Sequence, residues 1–273
     1  MTEVLWSRMT AEELRQKAED NAIVLLPVAS TEQHGPHLST GVDAFLGGEG
    51  CQRTARIVAR NRPIVVAPVV WMGLAEHHVA FGGTFSLSLS TYRILLKELC
   101  SSILQAGFKK IMIVNSHGGN IAALNALTTD LARELSAPIA TTTLYSLPHE
   151  SGAYAEILED QKTVRHACEA ETSMMLAAFA DCVRSDRLSE AFGPRDLNLA
   201  PPLNLWRSFK ELTPSGVLGD ARKASAKKGE KLLDVAAELL AAKLVAGEPW
   251  DFAKHKAHDV LAVMSGSGTF RSC

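Results

Sequence analysis

The chain has 273 residues, of which 47% are hydrophobic and 21% are charged. This composition is typical of a folded globular protein and excludes a disordered or low-complexity chain. The 28 basic and 30 acidic residues give a formal net charge of -2 and are spread along the chain. We therefore expect no surface that binds nucleic acid or an anionic membrane, and we expect a small or neutral partner.

The five cysteines are irregularly spaced and form no C-x-x-C pair. Such spacing argues against a disulfide framework and against a thiolate zinc site, and it favours a reducing compartment. The N-terminal residues carry no secretory signal, and no stretch reaches the roughly 18 apolar residues of a membrane span. We predict a cytoplasmic protein with a single domain over residues 1–273 and a flexible tail from about residue 260.

Strands and helices alternate along the chain. Thr10 and Glu13 form a capping box that predicts a helix near residues 11–20. The predicted strands cover residues 23–28, 64–70, 111–114 and 138–145. The other predicted helices cover residues 43–59, 91–107, 169–180 and 223–246, with a further helix capped by Asn120 and an interruption of the last helix at Gly229. Strands that are apolar on both faces predict a mainly parallel sheet between two helical layers, a three-layer α/β/α fold.

Polar loops follow three of the predicted strands, at residues 29–43, 71–85 and 116–120, and hold five of the nine histidines. In a parallel sheet, ligands bind beyond the carboxyl ends of the strands. The side chains of these loops are therefore expected to converge at one edge of the sheet.

The first of these loops carries Glu32, His34, His37 and, at its end, Asp43. Mixed carboxylate and imidazole donors suit Zn²⁺, Mn²⁺ or Fe²⁺ better than Ca²⁺, and the lack of nearby thiolates argues against a structural zinc site. The loop therefore predicts a catalytic metal centre, with a surface turn as the alternative. His117 follows the third predicted strand in the same way, and there the alternative is a plain glycine turn.

His166 is followed by two carboxylates, Glu169 and Glu171. These positions point about 200° apart on a helix, so at most one faces the site unless the helix begins between them. The residues alone leave both open. They also leave open whether His37, Glu76 and His77 orient a ligand or face the substrate.

In sequence order, several motifs resemble those of the creatininase (creatinine amidohydrolase) family. The matching motifs are Ser30–Leu38 with Asp43, Glu76-His77, Gly83-Thr84, Ser116–Asn120, His166–Ser173 and Gly216–Asp220. The resemblance spans roughly residues 20–245 and implies an α/β fold assembled as a homo-oligomer, often a hexamer. It also implies a dinuclear metal site in which Asp43 bridges two ions, with Glu32, His34 and His117 as further ligands.

The chain departs from creatininase itself at two places. Gly119 stands where creatininase has a glutamate ligand, so the second ion needs another carboxylate, for which Glu171 is the candidate and Glu169 the alternative. Residues 149–165 contain none of the tryptophans that surround the flat substrate of creatininase. Creatinine is therefore not the expected substrate.

The resulting hypothesis is a metal-dependent amidohydrolase that cleaves a non-peptide or cyclic C–N amide bond of a small molecule by metal-bound hydroxide. It would use two divalent ions, zinc before manganese or iron, with His166 as general acid and base and Glu171 as a second catalytic group. The resemblance also suggests a deformylase or peptide-trimming hydrolase with the same metals. A non-catalytic metal-binding assembly protein is the third alternative.

Overall fold

The computed structural model describes residues 2–197 and 205–251. Its sheet has four strands in the order β2-β1-β3-β4, and each neighbouring pair is parallel. The strands are β1 (Ile23–Val28), β2 (Ile64–Val66), β3 (Lys110–Asn115) and β4 (Ile139–Thr143). The predicted parallel sheet is therefore present, whereas the predicted tail from about residue 260 lies outside the described residues.

Helices connect and cover the strands. The described α-helices are α1 (Ala11–Glu19), α2 (Val42–Val58), α3 (Leu89–Gln105), α4 (Ile121–Glu134), α5 (Ser146–Glu150), α6 (Ala153–Ile157), α7 (Glu169–Ala178), α8 (Phe209–Leu212) and α9 (Ala226–Ala246). Two short 3-10 helices, Glu76–Phe81 and Gly118–Asn120, shape the loops after β2 and β3. No helix within residues 2–197 and 205–251 is long and apolar enough to cross a membrane.

Each face of the sheet packs against its own helical layer. Because side chains alternate along a strand, Ile23 and Leu25 face one core, which is shared with α2, α7 and α9. Val24 and Leu26 face the other core, which is shared with α1, α3 and α4. This arrangement of helices, sheet and helices is the predicted three-layer α/β/α fold.

Strand β2 is shorter than predicted. It ends at Val66, because Pro68 has no N–H to donate to a neighbouring strand. Beyond that point the pairing with β1 continues irregularly, through hydrogen bonds from Ala67 N–H to the Leu25 carbonyl (2.8 Å) and from Val70 N–H to the Pro27 carbonyl (2.9 Å). The predicted strand over residues 64–70 is therefore wrong in its second half.

Helix α9 is not interrupted at Gly229, contrary to the prediction. It begins after Ser225, whose hydroxyl accepts a hydrogen bond from Lys228 N–H, and it runs unbroken to Ala246. A Cβ at position 229 would overlap the Ser173 carbonyl on α7. The glycine therefore serves the close approach of two helices rather than a break in one of them.

The order of the strands creates a crevice at the carboxyl edge of the sheet. The connection from β1 to β2 passes through α2 on one face, and the connection from β3 to β4 passes through α4 on the other. The chain thus leaves β1 and β3 in opposite directions, which opens a space between the loops that follow them. The polar loops identified in the sequence border this space.

Candidate metal centre

The structure brings the five predicted metal ligands and His166 into one buried cluster. Three groups of residues each offer ligand atoms that lie within 4.8 Å of one another. The groups are Glu32–Asp43–His117, His34–Asp43–Glu171 and Glu32–His34–His166. Donors bound at about 2 Å to a common ion are at most about 4 Å apart, so these spacings fit metal binding with little movement.

Asp43 belongs to the first two groups and lies between them. It is buried in the first turn of α2, and its main-chain carbonyl accepts a hydrogen bond from the Ser116 hydroxyl (2.8 Å). Its Oδ2 lies 3.1 Å from His117 Nδ1, and its Oδ1 lies 3.5 Å from His34 Nε2. The two oxygens face different imidazoles, which is the geometry that a bridging carboxylate needs.

Each of three clustered imidazoles has one ring nitrogen, here called the outer nitrogen, that points away from the carboxylates and lies next to a main-chain carbonyl. His117 Nε2 lies 3.2 Å from the Leu74 carbonyl, and His34 Nδ1 lies 3.1 Å from the Glu32 carbonyl. His166 Nε2 lies 2.8 Å from the Gln33 carbonyl. Since a carbonyl only accepts, we assign the N–H to these nitrogens, so that each inner nitrogen turns a lone pair toward a carboxylate.

Several polar atoms at the centre have no hydrogen-bond partner in the described part of the chain. They are both carboxylate oxygens of Glu32, Asp43 Oδ2 and His34 Nε2. His117 Nδ1 lies only 3.1 Å from Glu32 Oε2, but with the proton assigned to Nε2 it has no hydrogen to donate. Buried groups of this kind are costly when they stay unpaired. A cation among them would satisfy all of them, and their nitrogen and oxygen donors fit a zinc-like divalent ion.

The pKa values of the clustered carboxylates and imidazoles also indicate that the cluster favours a positive charge. Burial raises the pKa of Glu32, and it raises the pKa of Glu171 to about 8. Burial disfavours a charged His34, yet contact with Asp43 and the nearby carboxylates raise its pKa to about 9. The pKa of His117 is raised well above its usual value in the same way, against burial, by Glu32 and Asp43. The carboxylates therefore attract protons or a metal cation into the cluster.

Of the two carboxylates after His166, the structure brings only Glu171 to the cluster. Glu171 Oε2 lies 3.9 Å from His34 Nε2 and accepts a hydrogen bond from Ala167 N–H (2.5 Å). Glu169 is equally buried but turns away. It accepts hydrogen bonds from Lys228 Nζ (2.6 Å) and from Asp160 N–H (2.8 Å). Glu169 thus fixes the segment before His166 against α9.

His78 is a site residue that the sequence interpretation missed. It is buried, Gln33 Nε2 lies 2.9 Å from its Nδ1, and its Nε2 lies 3.3 Å from Glu32 Oε1. When the Gln33 amide donates to Nδ1, the Nε2–H of His78 faces Glu32 without forming a hydrogen bond to it. The sequence signal is the pair His77-His78, but only the short helix Glu76–Phe81 decides which ring turns inward.

The residues whose roles the sequence left open lie outside the cluster. His37 is fully buried, and its Nε2 lies 2.7 Å from the Thr172 hydroxyl. Glu76 is exposed and forms no hydrogen bond or ion pair with a described histidine. His77 is half-buried and lines the cavity beside the cluster, where burial and the charge of His117 lower its pKa to about 4.

Asn120 connects the loops rather than capping α4 as predicted. Its side chain makes no capping hydrogen bond. Instead, Asn120 Oδ1 accepts a hydrogen bond from Leu74 N–H (3.0 Å), and Nδ2 donates to the Ala29 carbonyl (3.2 Å). One side chain therefore ties together the loops that carry Glu32, His77 and His117.

A cavity of about 360 Å³ opens beside the cluster. Phe209 of α8 lies in its wall, with its ring centroid 4.4 Å from that of His78 and 4.9 Å from that of His166. Tyr145 also lines the cavity, and its hydroxyl is buried without a hydrogen-bond partner in residues 2–197 and 205–251. Burial raises the pKa of Tyr145 well above its usual value, so this hydroxyl keeps its proton.

The fold and the site together define an α/β protein whose buried carboxylates and imidazoles lie at the carboxyl edge of its sheet, between the loops that follow β1 and β3. The family model for creatininase, described as creatinine amidohydrolase, matches residues 7–244. A mycofactocin precursor peptide peptidase of Mycolicibacterium smegmatis is 31% identical over 219 residues, which are 77% of this chain and 79% of that protein. A creatinine amidohydrolase of Pseudomonas putida is 26% identical over 260 residues, or 88% of this chain and 93% of that protein.

Solved structures show the same fold. A crystal structure of creatininase has a TM-score of 0.78 at 23% identity and covers 91% of this chain and 99% of its own. Similar structures of creatininase include a manganese form and a zinc–zinc form. The chain belongs to the creatininase family. The predicted family, α/β/α fold and amidohydrolase class are thereby confirmed.

The departure from creatininase at Gly119 has a structural counterpart. A Cβ at this position would overlap the His117 imidazole and the Leu74 carbonyl. No carboxylate side chain fits there in this arrangement of the loops. Glu171 approaches the His34 and Asp43 side of the cluster from α7 and supplies a carboxylate to it.

Proposed function

We propose that the protein hydrolyses a non-peptide or cyclic C–N amide bond with the help of two divalent ions. Zinc is the first candidate for these ions, ahead of manganese and iron. The observation that carries this proposal is the position of Asp43, whose two oxygens face the imidazoles of two ligand groups. In the proposed arrangement, Glu32 and His117 complete one group, and His34 and Glu171 complete the other. When bound, such ions lower the pKa of a water to about 7 and polarise a carbonyl.

The chain's own residues would bind the amide and move the protons. Tyr145 lines the cavity, and its buried hydroxyl has no hydrogen-bond partner among the described residues, so a rotation of this side chain would let it donate to a substrate oxygen. Phe209 covers the imidazoles of His78 and His166 and shields that side of the cluster from water. Hydrolysis adds one water across the C–N bond, which gives a carboxylate and an amine.

His166 is the proposed carrier of the proton. The Gln33 carbonyl holds its Nε2, and its Nδ1 faces the cluster, 3.5 Å from Glu32 Oε1. Burial and the charge of His34 lower its pKa well below the usual value, so the ring is neutral before the reaction. From Nδ1 the proton would pass to the leaving nitrogen.

We expect His166→Asn to lower kcat by about a hundredfold or more while both ions remain bound, because a general base contributes about 10² to 10⁴ in rate. The measurements are steady-state kinetics and elemental analysis of the purified variant. His149→Asn is the matched control, because His149 lines the same cavity but is exposed at its mouth. Loss of an ion from the His166 variant would instead make His166 a metal ligand.

The function is tested by elemental analysis combined with a panel of lactams, hydantoins, formamides and short peptides. We expect two ions per chain, ring-opened or deacylated products, and no activity after chelation until zinc or manganese is restored. Full activity in a chelator-stripped sample would refute the metal-dependent mechanism.

A deformylase or peptide-trimming hydrolase with the same metals is the second candidate. The similarity to a mycofactocin precursor peptide peptidase favours it, because that protein is 31% identical to this chain. In the same panel, released formate or a shortened peptide in place of a ring-opened product would identify this activity.

We also propose a cytoplasmic homo-oligomer, of which a hexamer is the form that the family resemblance implies. The four cysteines among the described residues are free thiols, which supports a reducing compartment. The side chains of Trp71 and Phe85 are 46% and 57% exposed and lie edge to face, which supports a contact between copies.

A further inference from the structure

The cavity beside the metal-ligand cluster has an uneven distribution of charge. The acidic side chains in its lining are Glu32, Asp43 and Glu171, and all three belong to the cluster. Arg165 is the only lysine or arginine among the described residues that line it. Two divalent ions would balance the charge of the three carboxylates and one bound hydroxide, which leaves the charge of Arg165 uncompensated. With Arg165, the cavity would favour an anionic ligand.

The guanidinium of Arg165 is free to bind such a ligand. Its side chain is exposed and forms no hydrogen bond or ion pair with any residue in 2–197 or 205–251. The hydroxyl side chains of Ser146 and Thr163 lie in the same lining. Arginine presents a planar fork of N–H donors that matches the two oxygens of a carboxylate.

The main chain around Arg165 is fixed directly to the reaction centre. Arg165 N–H donates to Cys168 Sγ (3.3 Å), and the next carbonyl, of His166, accepts from Leu218 N–H (2.8 Å). Ala167 has a left-handed conformation, with φ of 51°, and its N–H donates to Glu171. A non-glycine residue adopts this strained conformation only where its surroundings hold it. The main chain of Arg165 is therefore held in a defined position next to His166.

We propose that Arg165 binds a carboxylate of the substrate, so that the substrate is an amide with a free carboxylate a short distance from the bond that breaks. This inference rests on the proposed two-ion site and adds the substrate class. Arg165 is a specificity-determining residue here and does not touch the reacting atoms.

The test uses ligands that bind metal through a hydroxamate. The probes are the mono-hydroxamates of malonate, succinate and glutarate, each paired with the analogue in which a primary amide replaces the free carboxylate. Affinities for the zinc-loaded protein are measured by isothermal titration calorimetry. We expect at least one acid to bind about tenfold or more tightly than its amide, as a charge-assisted bidentate contact allows.

The variants locate this preference. In Arg165→Met the ratio of acid to amide affinity should fall to near one, and in Arg165→Lys it should fall only in part. Lys162→Met is the matched control, because Lys162 is an exposed cation in the same segment that does not line the cavity, and it should keep the preference. Thermal unfolding checks that each variant is folded.

Three results would overturn the inference. Equal affinity of acids and amides in the unmodified protein would refute the carboxylate subsite, and so would a preference that survives in Arg165→Met. Both results would leave the metal site intact, because the hydroxamates still bind. A zinc-treated protein that binds none of the six probes would refute the two-ion site and the subsite together.

Discussion

Asp43→Asn is expected to abolish hydrolysis, with a loss of at least about 10⁴ in kcat/KM, while the chain stays folded. Asp43 is shared by the two ligand groups, so one substitution weakens both proposed ions. Each ion contributes several kcal/mol to catalysis, and about 1.4 kcal/mol corresponds to a tenfold change in rate. Asparagine has the same shape as aspartate but lacks the charge and places an N–H donor where a ligand oxygen stood.

Three measurements check this expectation: steady-state turnover, elemental analysis, and thermal unfolding followed by circular dichroism. Asp234→Asn is a suitable control, because Asp234 is an exposed carboxylate that pairs with Arg53 and does not belong to the metal-ligand cluster. The control should keep its metal and its activity. Near-normal turnover of the Asp43 variant would contradict the proposed mechanism.

The sequence contained enough to predict where the site lies. Glu32 and His34 follow one apolar strand and His117 follows another, and parallel strands bring their carboxyl ends to one edge. Asp43 was predictable for a related reason, because it lies at the start of the helix that leaves the first loop. These residues were predictable because the sequence shows which loops follow the strands and which side chains in those loops can bind a metal.

Other parts of the site depend on contacts between distant segments. His78 turns inward because a 3-10 helix replaces an open loop, and hydrophobic periodicity gives no signal for a helix of six residues. Asn120 resembles an ordinary helix cap in the sequence, but its amide bonds to Ala29 and Leu74 instead. The position of Arg165 in the cavity lining depends on the β-bridge between His166 and Leu218, a residue that lies 52 positions further along the chain.

The choice between Glu169 and Glu171 shows the same limit. Helical spacing says only that the two carboxylates point in different directions. The structure adds that α7 begins at Glu169, and that Ala167 turns the chain so that its N–H reaches Glu171. Glu169 then faces Lys228, a residue 59 positions away on α9. Both glutamates are buried, so burial alone would not distinguish a metal ligand from a structural ion pair.

The two glutamates are therefore expected to respond to substitution in opposite ways. Glu171→Gln removes a carboxylate from the His34 and Asp43 side of the cluster, so we expect loss of one of the two ions and about a thousandfold loss of kcat. Glu169→Gln should keep both ions and most of the activity. Its free energy of unfolding should fall by about 3 kcal/mol, because Lys228 loses a buried partner.

Each variant serves as the control for the other, since both exchange a buried glutamate of the same helix for glutamine. Elemental analysis and kinetics report on the metal site, and urea unfolding reports on the ion pair. Lys228 also contacts Glu159, which is largely exposed, so part of its charge stays compensated in the Glu169 variant and the helix α9 should remain docked. Loss of an ion from Glu169→Gln, with full metal content in Glu171→Gln, would reverse the assignment of the second carboxylate.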